Sequence, residues 1–339
     1  MMLPFSYQSV RDVGSAIAEA DEAKEIPPTA APSQFIAGGT NMSDYMRLGV
    51  NRPSHLVDIN CIEDRSLKTI EIGDPDIRLG ALVRMSEVED HPEINRRCPM
   101  LAESLKLAAS RQIRNMASLG GNVLQRTRCE YFREISWPCN KRNPGSGCAA
   151  IEGFNRQHAV LGTSDSCIAT YHGDFAQALI ALDASVDISG QSGKRRIRFA
   201  ELHRQPDDRP DVETTLRPGE IVTAIVMNVP AWVARSRYLK IRDRQSYAFA
   251  LASTAVAIDL DGDIVRDARI GLGGLATVPW RATAAEEVLR NKPLTEENAA
   301  MAAQAAFADA RPRQHNAFKI ELGKQTLVRA LLEAREMRI

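Results

Sequence analysis

The stretch from Ser118 to Asp174 constrains this chain more than any other. It opens with Ser118-Leu119-Gly120-Gly121-Asn122-Val123-Leu124-Gln125 and continues through Cys129, Cys139, Cys148 and Cys167. A glycine pair lets the backbone approach a diphosphate and turn its N–H groups toward it, and it equally makes a plain tight turn. The cysteines say more. Nine residues separate the first from the second, eight the second from the third and eighteen the third from the fourth, so there is no Cys-x-x-Cys pair of the zinc-ribbon kind. Spacing leaves a [4Fe-4S] cluster, zinc, two disulfides and four unrelated thiols open. The turn formers Pro138, Asn140, Pro144, Gly145, Ser146 and Gly147 suit a loop wrapped around a compact centre, with backbone N–H groups near the sulfurs. Arg126, Arg128, Arg133, Lys141 and Arg142 are expected to offset thiolate charge and lower the thiol pKa values; the alternative is a solvated basic loop.

At 339 residues the chain has room for two or three domains and a large core. Its 43 basic and 43 acidic residues cancel, which argues against nucleic acid as a partner. Met1 to Gln8 lacks the order of a secretory signal, and no run approaches the roughly 18 apolar residues of a membrane span. The expectation is a soluble chain with no address of its own. Cys61, after Leu56-Val57-Asp58-Ile59, and Cys98, before Pro99, read as buried or half-buried structural thiols.

Along the chain, helical spacing runs from Val10 to Ala23 and stops at Pro27-Pro28. A buried strand, Gln34–Ala37, is broken by Gly38-Gly39-Thr40-Asn41-Met42 before a helix, Ser43–Leu48. Strand, glycine turn and helix in that order can present N–H groups to a phosphate, although the pattern is neither Gly-x-Gly-x-x-Gly nor a P-loop. The runs 55–59, 70–72 and 77–81 read as strands of a mixed sheet. A helix follows over Leu101–Ser110, where Ala108, Ala109 and Ser110 are small enough for close packing. After the cysteines come a helix over Asp174–Ala184, a hairpin of 186–189 with 196–199, an exposed loop at Pro206–Pro210 and a strand at Ile221–Met227. A domain boundary is placed at Pro230. Strands at 236–242, 250–260 and 268–275, then helices at 282–289, 296–310 and 318–335, make a compact α+β domain. No Ser-His-Asp grouping, His-Glu-x-x-His helix or carboxylate pair stands out, and none of the six histidines is given a catalytic role.

Five segments together carry a resemblance: Ile36-Ala37-Gly38-Gly39-Thr40-Asn41, Ser118-Leu119-Gly120-Gly121-Asn122, Pro218-Gly219-Glu220-Ile221, Tyr238-Leu239-Lys240-Ile241-Arg242-Asp243-Arg244 and Gly271-Leu272-Gly273-Gly274. In that order the chain resembles, from about Phe5 to its C-terminus, the FAD-binding subunit of xanthine dehydrogenase-type molybdenum hydroxylases. Its cysteine insertion is similar to that of the FAD subunit of bacterial periplasmic aldehyde oxidoreductases, where it holds a [4Fe-4S] cluster.

The resemblance implies an α+β chain: a two-part FAD-binding domain of the VAO/PCMH kind over residues 1–229, with the cluster insertion at about 125–168, and a smaller α+β C-terminal domain over 230–339. It implies that Ile36, Ala37, Gly38, Gly39, Thr40, Asn41 and Met42 wrap the FAD diphosphate from one side and Ser118, Gly120, Gly121 and Asn122 from the other. Ala108 would line the pocket, Asp174 would contact FAD, Ile221 or Val222 would pack near it, and Lys240 would lie close to the flavin. Cys129, Cys139, Cys148 and Cys167 would be the cluster ligands. The implied partners are a large molybdenum-cofactor subunit, a small [2Fe-2S] subunit and an external electron acceptor. Electrons from an aldehyde would cross the small partner to this FAD and then leave. The insertion and the loop Arg242–Tyr247 depart from eukaryotic relatives, which speaks against direct NAD use. Export to the periplasm alongside a signal-bearing partner is expected, with the cytoplasm otherwise. The alternatives are a scaffold subunit with a structural metal and an autonomous FAD oxidase.

Overall fold

The structure is a computed structural model and describes residues 3–20 and 26–339. Three short strands, β1 (Ser6–Ser9), β2 (Ser33–Ile36) and β3 (His55–Asp58), form a parallel sheet in the order β1-β3-β2. Parallel strands require crossovers. Two helices supply them: α1 (Val13–Ala18), capped by the Asp12 carboxylate accepting from the Ser15 N–H at 2.8 Å, and α2 (Met42–Leu48), stopped by Gly49 in the left-handed region. The helix read over Val10–Ala23 is thus shorter, and its positions 21–23 lie outside the described residues.

A second sheet, antiparallel throughout, contains β4 (Ile70–Ile72), β5 (Asp76–Gly80), β6 (Ser185–Gly190), β7 (Gly193–Arg198) and β8 (Ile221–Asn228) in the order β4-β5-β8-β6-β7. The mixed sheet expected from runs 55–59, 70–72 and 77–81 is therefore two sheets. β3 is held between parallel neighbours, whereas β5 pairs with β8, so far along the chain that local pattern does not reveal it. Between β5 and β6 run α3 (Met85–Asp90), α4 (Pro92–Arg97), α5 (Pro99–Lys106), α6 (Arg111–Met116), α7 (Leu119–Val123), α8 (Glu130–Arg133) and α9 (Phe175–Ala181). The helix read over Leu101–Ser110 ends at Lys106 because Ala109 takes a φ of 45° and Ser110 starts α6 by capping it.

The third sheet, β9 (Ser236–Ile241), β10 (Ala252–Asp261), β11 (Ile264–Gly273) and β12 (Trp280–Arg281), is an antiparallel meander packed with α10 (Thr283–Leu289), α11 (Glu296–Ala306) and α12 (Phe318–Arg335). Apolar burial gathers in four groups. The largest joins the second sheet to α5 and α9, a second lies between the third sheet and its helices, and a third lies under the first sheet. The fourth is small and surrounds Phe132 with Cys129, Cys139, Cys167 and Ile168. No helix among the described residues is long and apolar enough to cross a membrane.

Candidate cofactor site

The first glycine segment leaves β2 and lies against the junction of α6 and α7. A Cβ on Gly38 would stand 1.8 Å from the Met116 carbonyl oxygen, so only glycine permits this approach. Gly39 follows with a φ of 72° and turns the chain into α2. Among the described residues, the N–H groups of Gly38, Gly39, Thr40 and Asn41 donate to no acceptor in the chain. Consecutive unpaired amides of this kind form a concavity suited to an anion.

The second segment differs from the bare turn that the glycine pair suggests, because Gly120 and Gly121 stand in α7. Ser118 caps that helix, its hydroxyl accepting from the Gly121 N–H at 3.2 Å, while the Leu119 and Gly120 N–H groups donate to Val83 O (3.0 Å) and Ala81 O (2.8 Å). These amides are used internally, and the segment contributes closeness: a Cβ on Gly120 would meet Ala81 at 3.1 Å. The Asn122 side-chain oxygen is buried without a partner among the described residues.

The two segments bound a cavity of about 900 Å³, near the upper end of ordinary ligand sites. Ile36, Ala37, Gly38, Gly39, Thr40, Asn41, Met42, Ala108, Ser118, Gly120, Gly121, Asn122, Asp174, Ile221 and Val222 all line it. Lys240 does not. Its ammonium sits behind the wall and donates to Asp174 (2.7 Å) and to the Leu107 carbonyl (3.0 Å). The other Asp174 oxygen accepts from the Tyr238 hydroxyl at 2.7 Å. Burial first, and then the Asp174 charge, push the Tyr238 phenol well above its usual pKa, so it stays a donor.

Several lining residues carry no motif in the sequence. Tyr45 and Phe249 are isolated aromatics, and His172 is a buried imidazole whose Nδ1 donates to Thr170 O at 2.9 Å. Burial, aided by Lys319 and Arg128, pushes His172 down to about 3, so it is neutral at physiological pH. Arg126 reaches the cavity from the cysteine loop. It donates to Asn51 (2.6 Å) and to Glu213 (2.7 Å), and Lys141 lies 3.0 Å from the other Glu213 oxygen. Arg126 and Arg128 belong to the basic cluster visible in the sequence, which is the one signal that could have found them.

The structure brings the four cysteines of the loop into one packed group, with Cys148 half-buried and the other three buried. All are free thiols, and Cys139 faces Cys148 across a β-bridge. Among the described residues no three His, Cys, Asp or Glu side chains form a group that could hold a metal ion. At Cys129, Cys148 and Cys167 the expected lowering of the thiol pKa is overturned: burial pushes the first two up and Cys167 to about 11. The basic residues are committed elsewhere, Arg133 to Asp44, Arg126 and Lys141 to Glu213, and Arg142 to backbone carbonyls of α8. Of these, only Lys141 lowers Cys167, and burial outweighs it. His158 Nε2 lies 3.1 Å from Cys129 Sγ, in a pocket that pushes the imidazole down to about 4. Cys61, read as buried or half-buried, is exposed, because it follows the last residues of β3 out to the surface; Cys98 is buried.

Comparison with known proteins gives consistent matches. The family described as the FAD binding domain in molybdopterin dehydrogenase matches residues 5–232, and the CO dehydrogenase flavoprotein C-terminal domain matches residues 237–334. The aldehyde oxidoreductase FAD-binding subunit PaoB of Escherichia coli K12 is 43% identical over 98% of this chain and 99% of its own. The carbon monoxide dehydrogenase medium chain of Hydrogenophaga pseudoflava is 25% identical, covering 97% of each chain. Among solved structures, carbon monoxide dehydrogenase from H. pseudoflava superposes with a TM-score of 0.73 at 25% identity, covering 99% of this chain and 98% of that one. Quinoline 2-oxidoreductase from Pseudomonas putida 86 shares the fold, with a TM-score of 0.73 at 21% identity and 98% coverage of both chains.

Proposed function

Because the chain belongs to the FAD-binding subunits of the molybdopterin dehydrogenase family, we propose that it is the electron-delivering subunit of a molybdenum-dependent aldehyde oxidoreductase. The observation that carries this reading is the cavity with its row of unpaired amides at Gly38 to Asn41, in a chain 43% identical to an aldehyde oxidoreductase FAD-binding subunit. FAD supplies the redox chemistry when bound. The chain's own residues would cradle it: the free amides of the first glycine segment would hold the diphosphate, the second segment would close the opposite side, Ala108, Ile221 and Val222 would pack against the apolar parts, and Lys240 would act through Asp174, which it pins. Electrons taken from an aldehyde in a large molybdenum partner would arrive through a small [2Fe-2S] partner and leave here to an external acceptor. The chain alone is therefore expected to oxidise no aldehyde. We take residues 1–229 as the FAD-binding domain and 230–339 as the C-terminal one, and place the complex in the periplasm by co-export, with the cytoplasm as the alternative.

For the cysteines we favour a [4Fe-4S] cluster. Four undisulfided thiols share one buried group, and the Ala169 N–H approaches Cys167 Sγ at 3.4 Å, as such a centre asks of its surroundings. In such a cluster each of the four thiolates would bind its own iron. We assign it a structural role, because metal ligation can supply folding energy to a long loop.

The test is a visible spectrum with iron, sulfide and zinc analysis of the anaerobically purified chain. FAD with about four iron and four sulfide is the expected result. FAD with zinc or without metal would refute the cluster and leave the flavin role. Absence of FAD would leave a scaffold subunit.

A further inference from the structure

The half-buried Arg128 has more positive charge than its surroundings use. It forms part of the wall of the large cavity and also of a small neighbouring one that reaches Cys129 and His158. Its guanidinium stands over the Tyr45 ring and over the Phe249 ring, 5.5 Å from each centroid. Three N–H groups are taken, by Asn41 Oδ1 at 2.7 Å, the Tyr45 hydroxyl at 2.9 Å and the Arg126 carbonyl at 2.8 Å. A guanidinium has five. Two other arginines of this wall are matched by carboxylates, Arg126 by Glu213 and Arg133 by Asp44, while the fourth, Arg244, folds back on the carbonyl of its own loop at Tyr247. Among the described residues Arg128 has no such partner, and Asp44, the acid near enough to feel its charge, is already forked by Arg133.

An arginine fixed between two rings, without a counter-ion, beside four amides without acceptors, is arranged for an anion. We propose that Arg128 binds the anionic diphosphate of the dinucleotide, an inference that rests on the FAD reading above. Asn41, at the tip of the first glycine segment, holds one of its nitrogens at that place. The residue is carried by the cysteine loop, not by either glycine segment, and Thr127 and Cys129 fix its backbone: the Thr127 hydroxyl donates to Thr170 O and accepts from the Cys129 N–H. Occupancy of the cavity and order in the cysteine loop are thereby coupled through one side chain, and such coupling is reciprocal.

The experiment strips FAD from the full chain and titrates FAD and riboflavin, which lacks the diphosphate, into wild type, Arg128→Gln and Arg128→Lys at low and high salt. Arg128→Gln is expected to weaken FAD by about 10- to 100-fold, the range of one charge-assisted hydrogen bond, and to flatten the salt dependence while riboflavin binding stays unchanged. Arg128→Lys, which keeps the charge without the planar fork, should recover part of the loss. Unchanged FAD affinity in Arg128→Gln overturns the proposal, as does equal loss of FAD and riboflavin. Because the wild-type salt dependence needs no variant to fold, wild-type FAD binding indifferent to salt also overturns it. A wild type that binds no FAD overturns the flavin reading as well.

Discussion

Gly38 and Gly39 are adjacent, and the structure restricts them for different reasons. At Gly38 the backbone angles suit any residue, but the Met116 carbonyl occupies the space of a Cβ. At Gly39 a Cβ would make only ordinary contacts, the nearest atom being 3.6 Å away, but the left-handed φ disfavours any side chain by roughly 1–2 kcal/mol. Gly38→Ala must therefore push α6 away from the glycine segment and widen the gap between the two cradle arms. It should lose most bound FAD, with overpacking of about 1–3 kcal/mol showing in the melting temperature. Gly39→Ala should melt lower but keep its flavin. Flavin content per chain after purification separates the two, and equal loss in both variants would contradict the spacing argument. Residues of this kind were legible in the sequence because the geometry admits so few residue types. Lys240 was legible as part of a motif, yet its place behind Asp174 depends on β9 and α9 meeting in space, which no local pattern records.

The cysteine loop is attached to the cavity wall by an ion-paired element: Glu213, from the loop before β8, holds both Arg126 and Lys141 in surroundings where all three side chains are largely buried. Removing one partner of such a group strands charge that water cannot reach, at about 3–5 kcal/mol. Glu213→Gln leaves two cations facing each other and should loosen the loop, lowering the melting temperature and, on the cluster proposed above, the iron content. Burial pushes the Glu213 carboxyl up, but Arg126 and Lys141 outweigh it and hold the pKa below the ordinary 4.5. A carboxylate depressed on folding contributes stability that is fully present above its unfolded value and lost as pH falls through the folded one. The difference in melting temperature between wild type and Glu213→Gln should therefore shrink as the solution is acidified below 4.5. A constant difference would show that the charge is not what holds the loop. At this scale the long regular elements were readable from periodicity, α12 and the β6-β7 hairpin among them. The short helices α3, α4 and α6 were not, since a turn and a half of helix repeats no pattern. The basic residues of the loop were noticed, but their partners sit at position 44, in the long excursion around 213 and on backbone carbonyls, so the spacing pointed to thiolates where the structure supplies carboxylates.

Across the whole molecule, the C-terminal helix layer grips the cysteine segment by its backbone. Asn316 donates to the carbonyls of His158 and Ala159, and Asn155 accepts from the His315 N–H at 2.9 Å. Deepest lies Lys319, a wholly buried lysine of α12 whose ammonium donates to Gln157 O (3.1 Å) and His158 O (3.0 Å). No local pattern marks it, because on α12 a lysine reads as part of a solvated face. Burial, with a smaller repulsion from Arg156, pushes its pKa from 10.5 down to about 7. The sign is the reverse of the Glu213 case. Below the folded value both states carry the proton and the fold bears the whole penalty of a buried charge; between about 7 and 10.5 the unfolded chain holds a proton that the folded one has released. Folding stability should therefore rise with pH across that window, by up to about 1.4 kcal/mol for each pH unit. Lys319→Met keeps the length of the side chain and removes the titration, so wild type measured against it should gain stability from neutral to alkaline pH, other groups cancelling in the comparison. Denaturant unfolding of both chains at stepped pH measures the difference directly. A flat difference would mean that Lys319 keeps its charge when folded, with its two carbonyl partners sufficient to hold an ammonium in the junction between the cysteine segment and the C-terminal helices.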